Sequence, residues 1–243
     1  MGYIVTAVSI ILLTARTSFT QGPEQGQRQV ALHLKREIRK TVEVQYLLYV
    51  PPDYEKGDGK WPLLLFLHGM GERGNDLERV KIHGPANMIS QGEDFPFVVV
   101  SPLCPRDQWW EVDALTVVLD AVIEQYRIDE NRVYVTGLSM GGYGTWRLAY
   151  TNPGRFAAAV PICGGGDPEK VHLMANVPTW VFHGAKDKAV PLEMSQEMVD
   201  ALKAAGGDVR FTVYPEAGHV EAWENAYGDP GLWEWLASQR RRD

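Results

Sequence analysis

Two cysteines in 243 residues are too few for a disulfide scaffold or a four-thiolate zinc site. The six histidines include neither an H-E-x-x-H pattern nor any close pair, so no metal and no other cofactor is expected. A basic surplus is also missing. The net charge of −7 argues against nucleic acid as the main partner, since phosphate binding favours a basic surface. No apolar run reaches the about 20 residues that a membrane-spanning helix needs, and there is no internal repeat or low-complexity tract. What is present is a composition of 45% hydrophobic and 23% charged residues, usual for a folded domain. The length supports one sizeable core rather than two.

The ends of the chain differ from its middle. Ile4–Leu13 (IVTAVSIILL) is too short to span a bilayer and fits the apolar centre of a secretory leader. Ala15 with Thr17, or Ser18 with Thr20, offers small residues for a cut, although no Lys or Arg precedes the run. The expectation is a leader over residues 1–20, a polar linker over 21–29 and one domain over 30–243. Such a protein is secreted or periplasmic, and cytoplasmic if the leader is not one. Leu232–Leu236 reads as a final amphipathic helix, and Arg240, Arg241 and Arg242 as a solvated tail suited to the negative end of its dipole.

Between the ends, Val30–Ile38 and Val42–Val50 alternate around a polar turn, which predicts an antiparallel hairpin. Leu63–Leu67 (LLLFL), Phe97–Val100, Val133–Val135, Ala157–Ile162, Thr179–Phe182 and Phe211–Tyr214 are short continuous apolar runs. Runs without alternation are strands buried on both faces, as in a parallel sheet covered by helices. Leu115–Tyr126, Tyr143–Tyr150 and Leu192–Ala205 supply helices between them. The predicted fold is a three-layer α/β domain with a mostly parallel central sheet, an N-terminal antiparallel hairpin and no cap domain. Cys104 and Cys163 follow strands that two others should separate, at about 4.8 Å each. That exceeds the reach of a disulfide, so two free thiols are expected.

Ligands of such sheets bind beyond the carboxyl ends of the strands, and the residues there are informative. Gly137-Leu138-Ser139-Met140-Gly141 matches G-x-S-x-G between a strand and a helix, the sharp turn that lifts a serine hydroxyl clear of the backbone. A serine needs a base, and the base needs an anion to hold its tautomer. On this kind of turn the chain order is serine, acid, histidine. Asp187 follows the TWVF strand and His219 the FTVY strand, with Glu193 and Asp208 as alternative acids. The backbone N–H groups of Met140 and of Met70, in His68-Gly69-Met70-Gly71, are the expected oxyanion donors. His68 is read as a brace for that loop, and Glu72 and Arg73 as a further brace. Trp109, Trp110 and Trp223 are candidates to line a substrate cleft by stacking. The short stretch between Ile162 and Pro178 leaves no room for a lid.

The stretches LLLFLHGMGERGND, SPLCPRDQWW, DENRVYVTGLSMGGYGTW, PICGGGD and WVFHGAKDKAVP resemble the α/β-hydrolase esterases grouped with phospholipase/carboxylesterases and single-domain "predicted peptidases". Feruloyl esterases and polyhydroxybutyrate depolymerases are more distant relatives. The resemblance covers nearly everything after about residue 40. It implies a serine carboxylic ester hydrolase that works through an acyl-enzyme, with Ser139, Asp187 and His219 as triad and Met70 and Met140 as oxyanion donors. An open aromatic cleft and export together favour short-chain or aromatic esters of the acetyl or feruloyl type, small or linked to polysaccharide, with no stable membrane association. A peptidase or thioesterase using the same groups is the alternative, and a non-catalytic binding protein on the same scaffold a third.

Overall fold

In the computed structural model, residues 33, 35, 36 and 39–242 are described. Chain contacts separate Met1–Thr41 from Val42–Asp243. The described residues of the first unit are exposed and carry no helix or strand. The expected leader, the linker and most of the expected strand over 30–38 lie outside the described residues.

The second unit is built on a seven-stranded sheet of order β1-β3-β2-β4-β5-β6-β7. The strands are β1 Tyr46–Tyr49, β2 Trp61–Leu67, β3 Val98–Pro102, β4 Ile128–Leu138, β5 Ala158–Ile162, β6 Thr179–Gly184 and β7 Val209–Tyr214. All neighbours are parallel except β1 and β3, which pair antiparallel from Tyr46 opposite Pro102 to Tyr49 opposite Val99. The second arm of the expected hairpin is therefore β1, and its antiparallel partner among the described residues is β3.

The continuous apolar runs are explained by what covers them. Along β2, Leu63, Leu65 and Leu67 face one layer while Leu64 and Phe66 face the other, because strand side chains alternate. The first layer contains α2 (Val112–Gln125), α3 (Met140–Thr151) and α4 (Leu192–Ala204), packing Val118, Trp146 and Met198 against the sheet. The second contains α1 (Gly84–Ser90), α5 (His219–Tyr227) and α6 (Pro230–Ser238), packing Ala86, Tyr227 and Leu236. With both faces covered, alternating polar residues would be buried without partners.

The α6 helix starts where sequence rules place it, with Pro230 in its first turn and Asp229 accepting the Gly231 N–H at 2.8 Å. Beyond it Arg240 and Arg242 are exposed, as a solvated tail should be, and all three arginines also find partners. Arg240 pairs with Asp129 at 3.4 Å, Arg241 donates to the Gly154 carbonyl at 3.1 Å and Arg242 pairs with Asp208 at 2.6 Å. Acceptors distant in sequence, which a dipole argument ignores, tether the C-terminus. Among the described residues no helix is long and apolar enough to cross a membrane.

Candidate active site

The parallel register aligns the strand ends. Leu67 lies opposite Gly137, Leu138 opposite Ile162, Ile162 opposite Phe182 and Gly184 opposite Tyr214. The loops carrying His68, Ser139, Cys163, Asp187 and His219 therefore leave the sheet side by side. Ser139 occupies the turn from β4 into α3 with φ 53° and ψ −119°. A non-glycine residue there costs about 1–3 kcal/mol, and close packing enforces it. A Cβ on Gly141 would lie 1.9 Å from the Leu67 carbonyl oxygen, so only glycine lets the helix start this near the sheet.

Three of the sequence-predicted residues meet. The Ser139 hydroxyl donates to His219 Nε2 at 2.9 Å, and His219 Nδ1–H donates to Asp187 Oδ2 at 2.5 Å. The Asp187 side chain is fully buried, whereas that of His219 keeps 18% of its surface exposed. Asp187 Oδ1 accepts the N–H groups of Ala189 at 2.8 Å and Val190 at 2.9 Å. Burial pushes this carboxyl up, but the Val190, His219 and Ala189 donors outweigh it and hold the pKa below its ordinary value. The alternative acids lie elsewhere: Glu193 is exposed in the first turn of α4, and Asp208 pairs with Arg242 before β7.

Met140 opens α3 and Met70 opens a single 3-10 turn, Met70–Glu72. N–H groups at the start of a helical segment have no partner within it, so neither of these two backbone donors is used by its own turn. The Met70 loop is held firmly. His68 Nδ1–H donates to the Gly69 carbonyl at 2.6 Å, and His68 Nε2 accepts the Cys104 N–H at 3.0 Å. Burial lowers the pKa of this imidazole to about 4. Arg73 donates to the carbonyls of Met70 and Gln108, and Arg79 to that of Gly71. Glu72 is buried between His68 and His83, at 3.9 and 3.8 Å.

The adjacent tryptophans part company. Trp109 is 50% exposed and sits edge-on to Tyr143, with ring centres 6.0 Å apart. Trp110 is 5% exposed, packs against His68 and donates from its indole to the His68 carbonyl at 3.2 Å. This corrects the expectation that both line a cleft: Trp110 buttresses the loop that carries His68 and Met70. Trp223 is also buried, wedged between His219 and His83 with ring centres 4.9 and 5.4 Å away. It walls His219 rather than presenting a ring face. Tyr143 was not among the sequence candidates, although its place four residues after Ser139 puts it on the same helix face. Between Ile162 and Thr179 the chain forms only one 3-10 turn, Val171–Met174.

Both thiols are free and buried. Cys163, His183 and Asp187 bring one ligand atom each within 4.8 Å of one another. Burial pushes the Cys163 thiol well above its ordinary range, and His183 Nε2 is engaged with the Val190 carbonyl at 3.0 Å. The donor set suits held protons better than a cation.

A strained serine at a strand-to-helix turn, bonded through a histidine to a buried aspartate in a doubly covered parallel sheet, defines the α/β-hydrolase class. Within that class the profile of the dienelactone hydrolase family matches residues 106–227, a span that includes Ser139, Asp187 and His219. The chain belongs to this family. It is 26% identical over 224 residues to the poly(3-hydroxyoctanoate) depolymerase of Pseudomonas fluorescens, covering 74% of this chain and 79% of that one. A Salmonella typhimurium (strain LT2) protein provisionally named as a carboxymethylenebutenolidase is 34% identical over 102 residues, 38% of this chain and 37% of its own length. Among solved structures, a thermostable esterase shares 38% identity with a TM-score of 0.71, over 82% of this chain and 60% of that one. The chain thus spans less than two thirds of both the Salmonella protein and the thermostable esterase.

Proposed function

We propose that this protein is a serine ester hydrolase that works through an acyl-enzyme on Ser139. The observation that carries the reading is the hydrogen-bonded chain Ser139–His219–Asp187, at 2.9 and 2.5 Å, with the serine on a strained turn. As Ser139 Oγ attacks the ester carbonyl, its proton passes to His219 Nε2, and Asp187 holds the imidazolium that results. The Met70 and Met140 N–H groups receive the charge that develops on the carbonyl oxygen. Collapse of the tetrahedral intermediate expels the alcohol, which takes the proton from His219. A water activated by the same imidazole then releases the acid and restores Ser139.

The substrate class proposed is short-chain or aromatic esters, small or carried on polysaccharide. An exposed indole beside Tyr143 offers a stacking surface for a phenolic or sugar ring, and the single short turn after β5 leaves bulky esters room to approach. The depolymerase relative and a bifunctional acetylxylan esterase/xylanase of Neocallimastix patriciarum, 30% identical over 133 residues, support a polymer-linked substrate. Export by a leader over residues 1–20 belongs to the same proposal, and N-terminal sequencing of the mature protein tests it.

A fluorophosphonate probe should label Ser139, and Ser139→Ala should lose both labelling and p-nitrophenyl acetate hydrolysis. Wild-type hydrolysis by the Ser139→Ala protein ends the proposal. Matched ester, thioester and anilide substrates, followed by acetyl-xylan and feruloyl esters, then rank the leaving and acyl groups.

A further inference from the structure

We propose that His183 is a positioning residue for this chemistry: a second imidazole that grips Asp187 from behind and sets how strongly that carboxylate holds the His219 proton. The inference rests on the serine-hydrolase reading above and extends it to residues that do not touch the reacting atoms.

The geometry continues the Ser139–His219–Asp187 chain through the aspartate and out the other side. Asp187 Oδ2, which accepts from His219 Nδ1, also lies 3.2 Å from His183 Nε2. His183 Nδ1 in turn lies 2.8 Å from Ser195 Oγ, and Ser195 Oγ lies 2.7 Å from the Gly164 carbonyl. The result is a serine–histidine pair on each side of one carboxylate. His183, Ser195 and the Asp187 side chain are fully buried, so solvent cannot substitute for any of these bonds. Three separate elements contribute: the end of β6, the first turns of α4 and the loop after β5.

Counting protons fixes the direction of the bonds. The neighbours of His183 Nε2 are the Val190 carbonyl at 3.0 Å and the Asp187 carboxylate, both acceptors only. Nε2 therefore carries the proton and shares it between them. Burial keeps the ring neutral, holding its pKa below the ordinary value despite Val190 and Asp187. Nδ1 is then a bare acceptor, and the single Ser195 proton is drawn toward it in competition with the Gly164 carbonyl. An N–H on Oδ2 withdraws charge from the oxygen that faces His219. Without it the carboxylate is more basic and holds the His219 Nδ1 proton more tightly. The carboxylate also loses the contact that stops it turning away.

Other groups near this pair do not obscure the effect. The Cys163 thiol and the Tyr143 phenol face Asp187, and both are pushed up, mainly by burial. His83 packs against the Trp223 ring, which also packs against His219, and Glu72 is buried 3.8 Å from His83, its Oε2 and the Ser139 Cβ both near Gly69.

The test compares wild-type, His183→Gln, His183→Met and Ser195→Ala proteins on p-nitrophenyl acetate from about pH 5 to 9. Thermal unfolding and fluorophosphonate labelling are the controls. Gln can set an amide N–H near the imidazole Nε2 position, whereas Met fills the space without a donor. His183→Met should lower kcat about 10- to 100-fold with KM within about twofold, and move the acid limb of kcat/KM upward by roughly half a unit to one unit. His183→Gln should recover kcat to within a few-fold and return the limb, and Ser195→Ala should shift it less, in the same direction. An unmoved limb in folded His183→Met overturns the proposal, as does a loss that Gln does not repair. If His183→Met does not fold, 15N NMR of labelled histidine in the wild-type protein decides the matter. A proton on Nε2 supports the inference, and a bare Nε2 ends it. If wild-type protein neither labels nor hydrolyses, the enzyme reading has failed, and the same spectrum still decides the His183–Asp187 bond.

Discussion

His68 Nδ1–H reaches the carbonyl oxygen of Gly69 at 2.6 Å. In a trans peptide the N–H points opposite to the C=O, so fixing this oxygen also fixes the direction of the Met70 N–H, the donor proposed for the oxyanion. The donor is main chain, and its direction is set by a side chain two residues earlier. Replacing Met70 with Ala, or Met140 with Leu, should therefore leave kcat for p-nitrophenyl acetate within about threefold of wild type, against the 10²–10³ typical of losing a donor. A loss of about a hundredfold in either would mean the methionine side chains themselves stabilise the transition state.

The same histidine makes stability depend on pH. Unfolded, its imidazole takes a proton near the ordinary 6.5, but folded only at about 4. Between these values the unfolded chain holds the extra proton, so stability is complete above about pH 6.5 and is lost as pH falls toward 4. The loss is of order 3 kcal/mol, and His183, whose pKa is also lowered by burial, adds to it with the same sign. Urea midpoints measured across this window should fall with pH, and less steeply in His68→Gln. Parallel slopes for the two proteins would contradict this account.

Close approach at Gly141 gives a sharper contrast. A methyl group there would sit 1.9 Å from the Leu67 oxygen, whereas at Gly154 it would meet nothing within 4 Å. Gly141→Ala should cost more than about 3 kcal/mol or prevent folding, while Gly154→Ala should be near neutral by thermal unfolding. Equal behaviour of the two variants would rule out the tight elbow.

The thiols should be inert. Burial holds Cys104 up at about 11 and Cys163 higher still, and both are covered. Ellman's reagent at about pH 8 should modify neither until urea is added. Rapid reaction of either thiol in the native protein would show that its loop opens.

Local sequence made several features legible before any coordinates. The unbroken apolar runs at LLLFL, FVVV and TWVF state that both faces of those strands are covered, since no other environment suits them. The glycines flanking Ser139 mark its turn, because a side chain at Gly141 would strike β2. Once the turn is recognised, chain order alone nominates Asp187 and His219. The strand and turn readings are legible because each depends on short-range sterics or on one strand's burial, and the structure brings the two nominated residues into one hydrogen-bonded chain with Ser139.

Other features depended on residues distant in the chain meeting in space. Nothing near Trp110 announces that its indole lies under His68 while its neighbour Trp109 reaches solvent. The three C-terminal arginines resemble a loose tail until Asp129, Gly154 and Asp208 come within reach. His183 stands four residues before Asp187, yet its link to Ser195 and Gly164 exists only because α4 and the loop after β5 fold onto the end of β6. Backbone conformation is set by nearest neighbours and is written locally. Hydrogen-bond partnership is set by which loops the sheet order brings together, and that is decided only when the whole chain packs.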